Sequence, residues 1–165
     1  MLKGRVWKFG DNISTDHIAP GRYFHLRSNL PELAKHVLED AREDFPELVQ
    51  KGDIIVAGKN FGLGSSREHA PRIIKLAGIS CVVAKSFARI FFRNSINVGL
   101  PLVELQETDE IDEGDILEID LRRGTLFNIT KGRRYSFEPL PSFVLEILEL
   151  GGIDEYMKKY GDYRF

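Results

Sequence analysis

Apolar and polar positions alternate through residues 2–9, and this period of two predicts a first strand, followed by a polar loop through Asp16 and Pro20. The period then changes. Leu30, Leu33, Ala34, Val37 and Leu38 recur at helical spacing, with Pro31 near the first turn. Residues 53–57, Asp-Ile-Ile-Val-Ala, form a short apolar run that reads as a buried strand, and Ala70, Ile73, Ile74 and Ala77 then take up the i, i+3, i+4, i+7 spacing of an amphipathic helix. Gly78 is a natural stop for that helix. A strand over residues 79–84 and a helix over 87–97 follow, giving a βαβα order. Runs at 102–105, 116–121, 125–129 and 135–137, separated by Gly114, Gly124 and Gly132, predict strands and hairpins. Phe143, Val144, Ile147 and Leu148 form a helical stripe, Gly151-Gly152 breaks it, and Ile153, Tyr156, Met157 and Tyr160 form another. No internal repeat or low-complexity linker divides the chain, so residues 1–165 are expected to form one α/β domain.

Composition narrows the partners. At 165 residues with 42% hydrophobic side chains, the chain can bury a core, and its net charge of −2 gives no general attraction to nucleic acid or membrane. The basic groups at Arg122-Arg123 and 131–134 flank expected hairpin turns and read as solvated loops. No apolar run approaches the roughly 18 residues of a membrane span, and the first residues lack a signal-peptide core, so a cytoplasmic location is expected. His25 and His36 have no companion ligands at metal spacing, and no metal is assigned to the chain.

The densest chemistry lies in Gly62-Leu63-Gly64-Ser65-Ser66-Arg67-Glu68-His69-Ala70, at the expected strand-to-helix turn. A helix start presents backbone N–H groups without internal partners and the positive end of a dipole, which suits a carboxylate or an oxyanion. Two readings stand open here. Either Ser65 or Ser66 is a plain N-cap, with Glu68 closing a capping box, or the hydroxyls and the Arg67 guanidinium act on a bound anion. The run matches neither a Gly-x-Ser-x-Gly elbow nor a P-loop nor a dinucleotide fingerprint.

The longer run from Gly58 through Ala70 closely resembles the active-site segment of the aconitase superfamily, particularly the small subunits of 3-isopropylmalate isomerases and of archaeal-type homoaconitases. Residues 12–20, Asn-Ile-Ser-Thr-Asp-His-Ile-Ala-Pro, resemble the family's early loop, and residues 84–101, from Ala84-Lys85-Ser86 to Gly99-Leu100-Pro101, its second core segment. The resemblance implies the swivelling β/β/α domain as a separate protein. It also implies a hydro-lyase that moves a hydroxyl between neighbouring carbons of a small hydroxy di- or tricarboxylic acid. The best-fitting substrates are the isopropylmalates of leucine biosynthesis; the alternative is homoaconitase or a related malate-type hydro-lyase. By the match, Ser65 is the base through its alkoxide, Arg67 clamps the substrate, Ser66 adds a hydrogen bond, and Gly62 and Gly64 support the turn. A [4Fe–4S] cluster acts as Lewis acid. That cluster needs three thiolates, and this chain has only Cys81, read as a small buried residue, so the cluster is expected on a larger partner subunit.

Asp16 is assigned to the catalytic edge, where a carboxylate can orient an arginine or assist proton movement, or else caps a turn. His17 and His69 are placed in support, with His69 one helical turn beyond Ser65. Specificity is expected in residues 21–29, where Phe24 and Leu26 can line an alkyl pocket and Arg27 can meet a distal carboxylate. Two other classes compete. One is a serine hydrolase assembled from Ser65, His69 or His17, and Asp16; the other is a carboxylate-binding module that keeps Arg67 and needs no partner.

Overall fold

A computed structural model describes residues 1–161. Seven strands form one sheet in the order β4-β3-β2-β1-β5-β6-β7. Strand β1 (Leu2–Lys8) is shared by two halves. Its last residues, from Val6, pair in parallel with β2 (Ile54–Val56), which continues in parallel to β3 (Cys81–Ala84) and β4 (Leu102–Glu104). Its first residues, Leu2 to Arg5, pair antiparallel with β5 (Ile116–Asp120), and the meander continues through β6 (Thr125–Asn128) and β7 (Arg133–Ser136). Gly124 and Gly132 sit in the two hairpin turns, as the spacing predicts.

The apolar runs of β2 and β3 are continuous because both faces are buried. Ile55, Ala57, Val82 and Ala84 face a core that takes in Ala70, Ile73 and Ile74 of α4 (His69–Leu76) and Phe91 of α5 (Arg89–Val98). The alternate residues Ile54, Val56, Cys81 and Val83 face Leu117, Ile119 and Leu126 of the antiparallel half. Helices, parallel sheet and antiparallel sheet thus stack as three layers, the β/β/α arrangement that the resemblance implies. A third apolar cluster joins Ile96 of α5 to α6 (Ser142–Leu150) and α7 (Ile153–Tyr160), with Tyr156 fully buried.

The first helical segment departs from its pattern. Of the expected stretch, only α2 (Leu30–Ala34) is helical, after a four-residue α1 (Thr15–Ile18) and a 3-10 helix (Gly21–Leu26). Beyond α2 the amide of Leu38 donates to the carbonyl of Ile18 at 3.0 Å, and Leu38 takes φ of 56°. This tertiary bond draws the chain off the helical path while Val37 and Leu38 stay fully buried, so the periodicity reports burial there and not helix. A short helix, α3 (Phe45–Leu48), follows, which the pattern did not predict; Phe45 packs edge-on against Trp7 and Phe9 at 5.1 and 5.6 Å.

Candidate active site

Three loops leave the carboxyl ends of β1, β2 and β3 on the same edge of the sheet, where open α/β sheets hold their ligands. Backbone bonds stitch them together. The amide of Thr15 donates to Leu63 O at 2.8 Å, Gly62 N to Ile13 O at 2.7 Å, and Ala88 N to Phe61 O at 3.0 Å. Gly62 is obligatory in this weave. Its φ is 84°, and a Cβ there would lie 2.2 Å from the ring of Phe91, itself 2% exposed. Gly64 takes φ of 109°, and a Cβ there would lie 3.1 Å from the hydroxyl of Thr15.

Between the loops lies a cavity of about 220 Å³ lined by Thr15, Gly62, Gly64, Ser65, Ser66, Arg67, Ala88, Arg89, Ile90, Phe91 and Asn94. Arg67 organises it. Its Nε donates to Ser65 Oγ at 3.1 Å, while Nη1 donates to Ala19 O at 2.6 Å and pairs with Asp16 Oδ1 at 3.1 Å. Nη2 takes part in none of these bonds. Asp16 is held in turn by the amide of Gly21 at 2.9 Å. The carbonyl of Ser65 accepts from Thr15 Oγ1 at 3.0 Å and from Arg67 N at 2.9 Å, which fixes the serine from its backbone side. A serine oxygen beside a fixed guanidinium, in a cavity without a carboxylate in its lining, is poised to bear negative charge and to receive an anionic ligand.

The helix mouth is not where the sequence placed it. Helix α4 starts at His69, four residues after Ser65, and its N-cap, Glu68, makes no side-chain capping bond. Ser65 and Ser66 therefore cap nothing, the Ser65–Glu68 capping box does not form, and the amides of α4 are not what faces the Ser65 hydroxyl. The glycine pair and the tie to Thr15 hold residues 64–67 in an irregular loop. The helix that does open on the cavity is α5, whose start, from Ala88 to Phe91, forms one wall. Its N-cap is an alanine in extended conformation, so no side chain competes for its first amides. Arg89 and Asn94 of this helix lie within the run that carries the resemblance, yet nothing in their spacing distinguishes them from a solvated helix face.

Other expected residues lie elsewhere. His17 closes a capping box on α1, whose N-cap is Ser14: its Nδ1 is 2.9 Å from the amide and from the hydroxyl of Ser14, whose Oγ accepts from His17 N at 3.1 Å. His69 does not share a face with Ser65; it packs edge-on against Phe24 at 6.2 Å. Burial, with Arg67 and Arg27 adding to it, lowers its pKa below the usual histidine value and favours the neutral ring. Neither histidine bonds to Ser65, and Asp16 is engaged by Arg67, so the hydrolase relay does not assemble. Phe24, Leu26 and Arg27 do not line the cavity. Arg27 stacks over the ring of Phe24 at 4.3 Å and donates to Phe24 O at 3.2 Å, while Leu26 packs on the main core.

Among the described residues, no group of three or more His, Cys, Asp or Glu is placed to hold a metal ion. Cys81 is wholly buried between the sheet halves, where desolvation pushes its thiol pKa far up, the opposite of what a metal-bound thiolate requires. No helix among the described residues is long and apolar enough to cross a membrane.

Residues 13–108, which contain all three loops, match the family described as the aconitase C-terminal domain. The chain is 74% identical to 3-isopropylmalate dehydratase small subunit 1 of Thermotoga maritima, over 99% of this chain and 98% of that one. It is 62% identical to small subunit 2 of the same enzyme from Archaeoglobus fulgidus, over 98% and 97%. The crystal structure of a 3-isopropylmalate dehydratase from Methanocaldococcus jannaschii superposes with a TM-score of 0.92 at 48% identity, covering 97% of this chain and 95% of that one. With the family's segments folded into one cavity and likeness over nearly the whole length, the chain belongs to the aconitase C-terminal domain family, in the branch of the 3-isopropylmalate dehydratase small subunits.

Proposed function

We propose that this chain is the small subunit of a heteromeric hydro-lyase that interconverts 2- and 3-isopropylmalate in leucine biosynthesis, and that it supplies the proton-transfer side of the site. The observation that carries the chemistry is the Arg67 fork, with one nitrogen on Ser65 Oγ and another locked to Asp16 and Ala19. An ordinary serine hydroxyl is too weak an acid to serve as a base. A fixed guanidinium at 3.1 Å favours its alkoxide, and Asp16 and the Ala19 carbonyl keep that guanidinium from swinging away. Ser65 then takes a proton from the carbon beside a carboxylate, hydroxide leaves the neighbouring carbon, and an unsaturated acid forms. Water returns with hydrogen and hydroxyl exchanged. Arg67 Nη2 and the Ser66 hydroxyl, which have no hydrogen bond among the described residues, hold a carboxylate meanwhile.

Loss of hydroxide needs a Lewis acid, which in this family is a [4Fe–4S] cluster. The buried single thiol of this chain does not fit such a group, so the cluster is assigned to a large partner subunit. The relatives' shared name supports the isopropylmalate reading over homoaconitase. The test is anaerobic reconstitution with the large subunit and turnover of 2-isopropylmalate, 3-isopropylmalate and homocitrate-type acids. The chain alone should turn over none of them, and the complex should favour the isopropylmalates. Preference for the tricarboxylates would replace the substrate assignment.

A further inference from the structure

We infer that Arg89 is the second carboxylate-binding residue of the cavity, opposite Arg67, so that the site is built for a dianion held at both ends. This inference rests on the malate-class reading above. The cavity lining contains two arginines and no acidic side chain. They differ in their ties. Arg67 already spends Nη1 on Asp16 and Ala19 and its Nε on Ser65. Arg89, the first residue of α5, makes no hydrogen bond, ion pair or ring contact among the described residues. Arg89 thus lines the Ser65 cavity as an arginine that pairs with no anion among the described residues, and its side chain also borders the neighbouring recess that holds Glu104.

The neighbouring positions are consistent with a small anionic ligand. The adjacent α5 amides are uncapped by any side chain, and their dipole has the same sign as the guanidinium. At about 220 Å³ the cavity lies below the roughly 300–1,000 Å³ of drug-sized pockets and suits a compact acid. Arg27, the arginine that the sequence offers for a distal carboxylate, is engaged with Phe24 outside this lining. Arg93, one turn along α5, also has no partner among the described residues; it shares the neighbouring recess with Arg89 but does not line the Ser65 cavity, and so provides the control.

The experiment compares the reconstituted complex carrying wild-type chain, Arg89→Met, Arg89→Lys or Arg93→Met. The probes are 2-isopropylmalate, measured by its KM, and its two singly amidated derivatives, measured as competitive inhibitors. Loss of one charge-assisted carboxylate contact corresponds to about 10–100-fold in affinity. Arg89→Met should therefore weaken the diacid by about that factor, yet change one of the two amides by less than about threefold, because that amide no longer carries the carboxylate held by Arg89. Arg89→Lys should recover part of the loss, and Arg93→Met should bind all three as wild type does. Parallel losses on all probes, or a loss traced to weaker assembly with the large subunit, would mean that Arg89 supports the fold or the interface, and would overturn the assignment. Failure of the wild-type complex to bind the diacid sinks the functional reading itself, and this assignment with it.

Discussion

At the scale of single residues, the role proposed for Ser65 is separable from stability. Its side-chain oxygen accepts from Arg67 and caps no helix, and the residue is exposed, so its removal touches little of the fold. Ser65→Ala in the assembled enzyme should lower kcat by several orders of magnitude while moving Tm by no more than about 2 °C, the range of a neutral surface change. A variant with near-normal turnover and a lowered Tm would return Ser65 to a structural role. The types and order of the residues Ser65, Ser66 and Arg67 were legible in the sequence. Their ties were not, because Asp16 and Ala19 lie about fifty positions away and reach Arg67 through the bonds that join residues 13–15 to residues 62–65.

At the scale of elements, the hydrophobic period found most strands and helices but missed two junctions for physical reasons. Helix α4 starts late because the glycine turn needs residues 64–67 in non-helical conformation, and α2 stops early because Ile18 captures the Leu38 amide. The antiparallel half carries a buried anchor of its own. Asp115 Oδ2 accepts from Asn128 Nδ2 at 2.8 Å and from Asp112 N at 2.9 Å, with Lys131 at 3.5 Å. Desolvation alone would raise the Asp115 pKa, but the Asp112 amide, Asn128 and Lys131 together outweigh it, and the carboxyl sits below its usual 3.8. A depressed folded-state pKa contributes stability that is present above the unfolded value and is lost as pH falls through the folded one. Asp115→Asn should therefore be less stable than wild type near neutrality, by about 1–3 kcal/mol. That gap should narrow below pH 3.8 in denaturant titrations. A gap that does not change with pH would show that the carboxylate charge contributes nothing to the anchor.

At the scale of the molecule, the chain presents the proposed half of a reaction site at the edge of a sheet. Arginines and hydroxyls face an open cavity, and the one thiol is shut away on the other side of β3, between the two sheet halves. Cys81→Ala in the assembled enzyme should leave both iron content and turnover at wild-type levels, as metal analysis and activity assays can measure. A drop in iron per complex would place a cluster ligand in this chain and undo the division of labour between subunits.

By itself the sequence determined the α/β class, the two buried strands, the glycine turn and the segment that carries the family resemblance, since period, turn chemistry and residue type are local properties. Tertiary structure alone decided that α5, not α4, opens on the cavity, that Asp16 pairs with Arg67, that His17 closes a capping box, and that Arg89 lines the cavity while Arg27 does not. These depend on which loops the parallel strands deliver to the same edge of the sheet, and strand order is fixed by long-range pairing that no local window of residues contains.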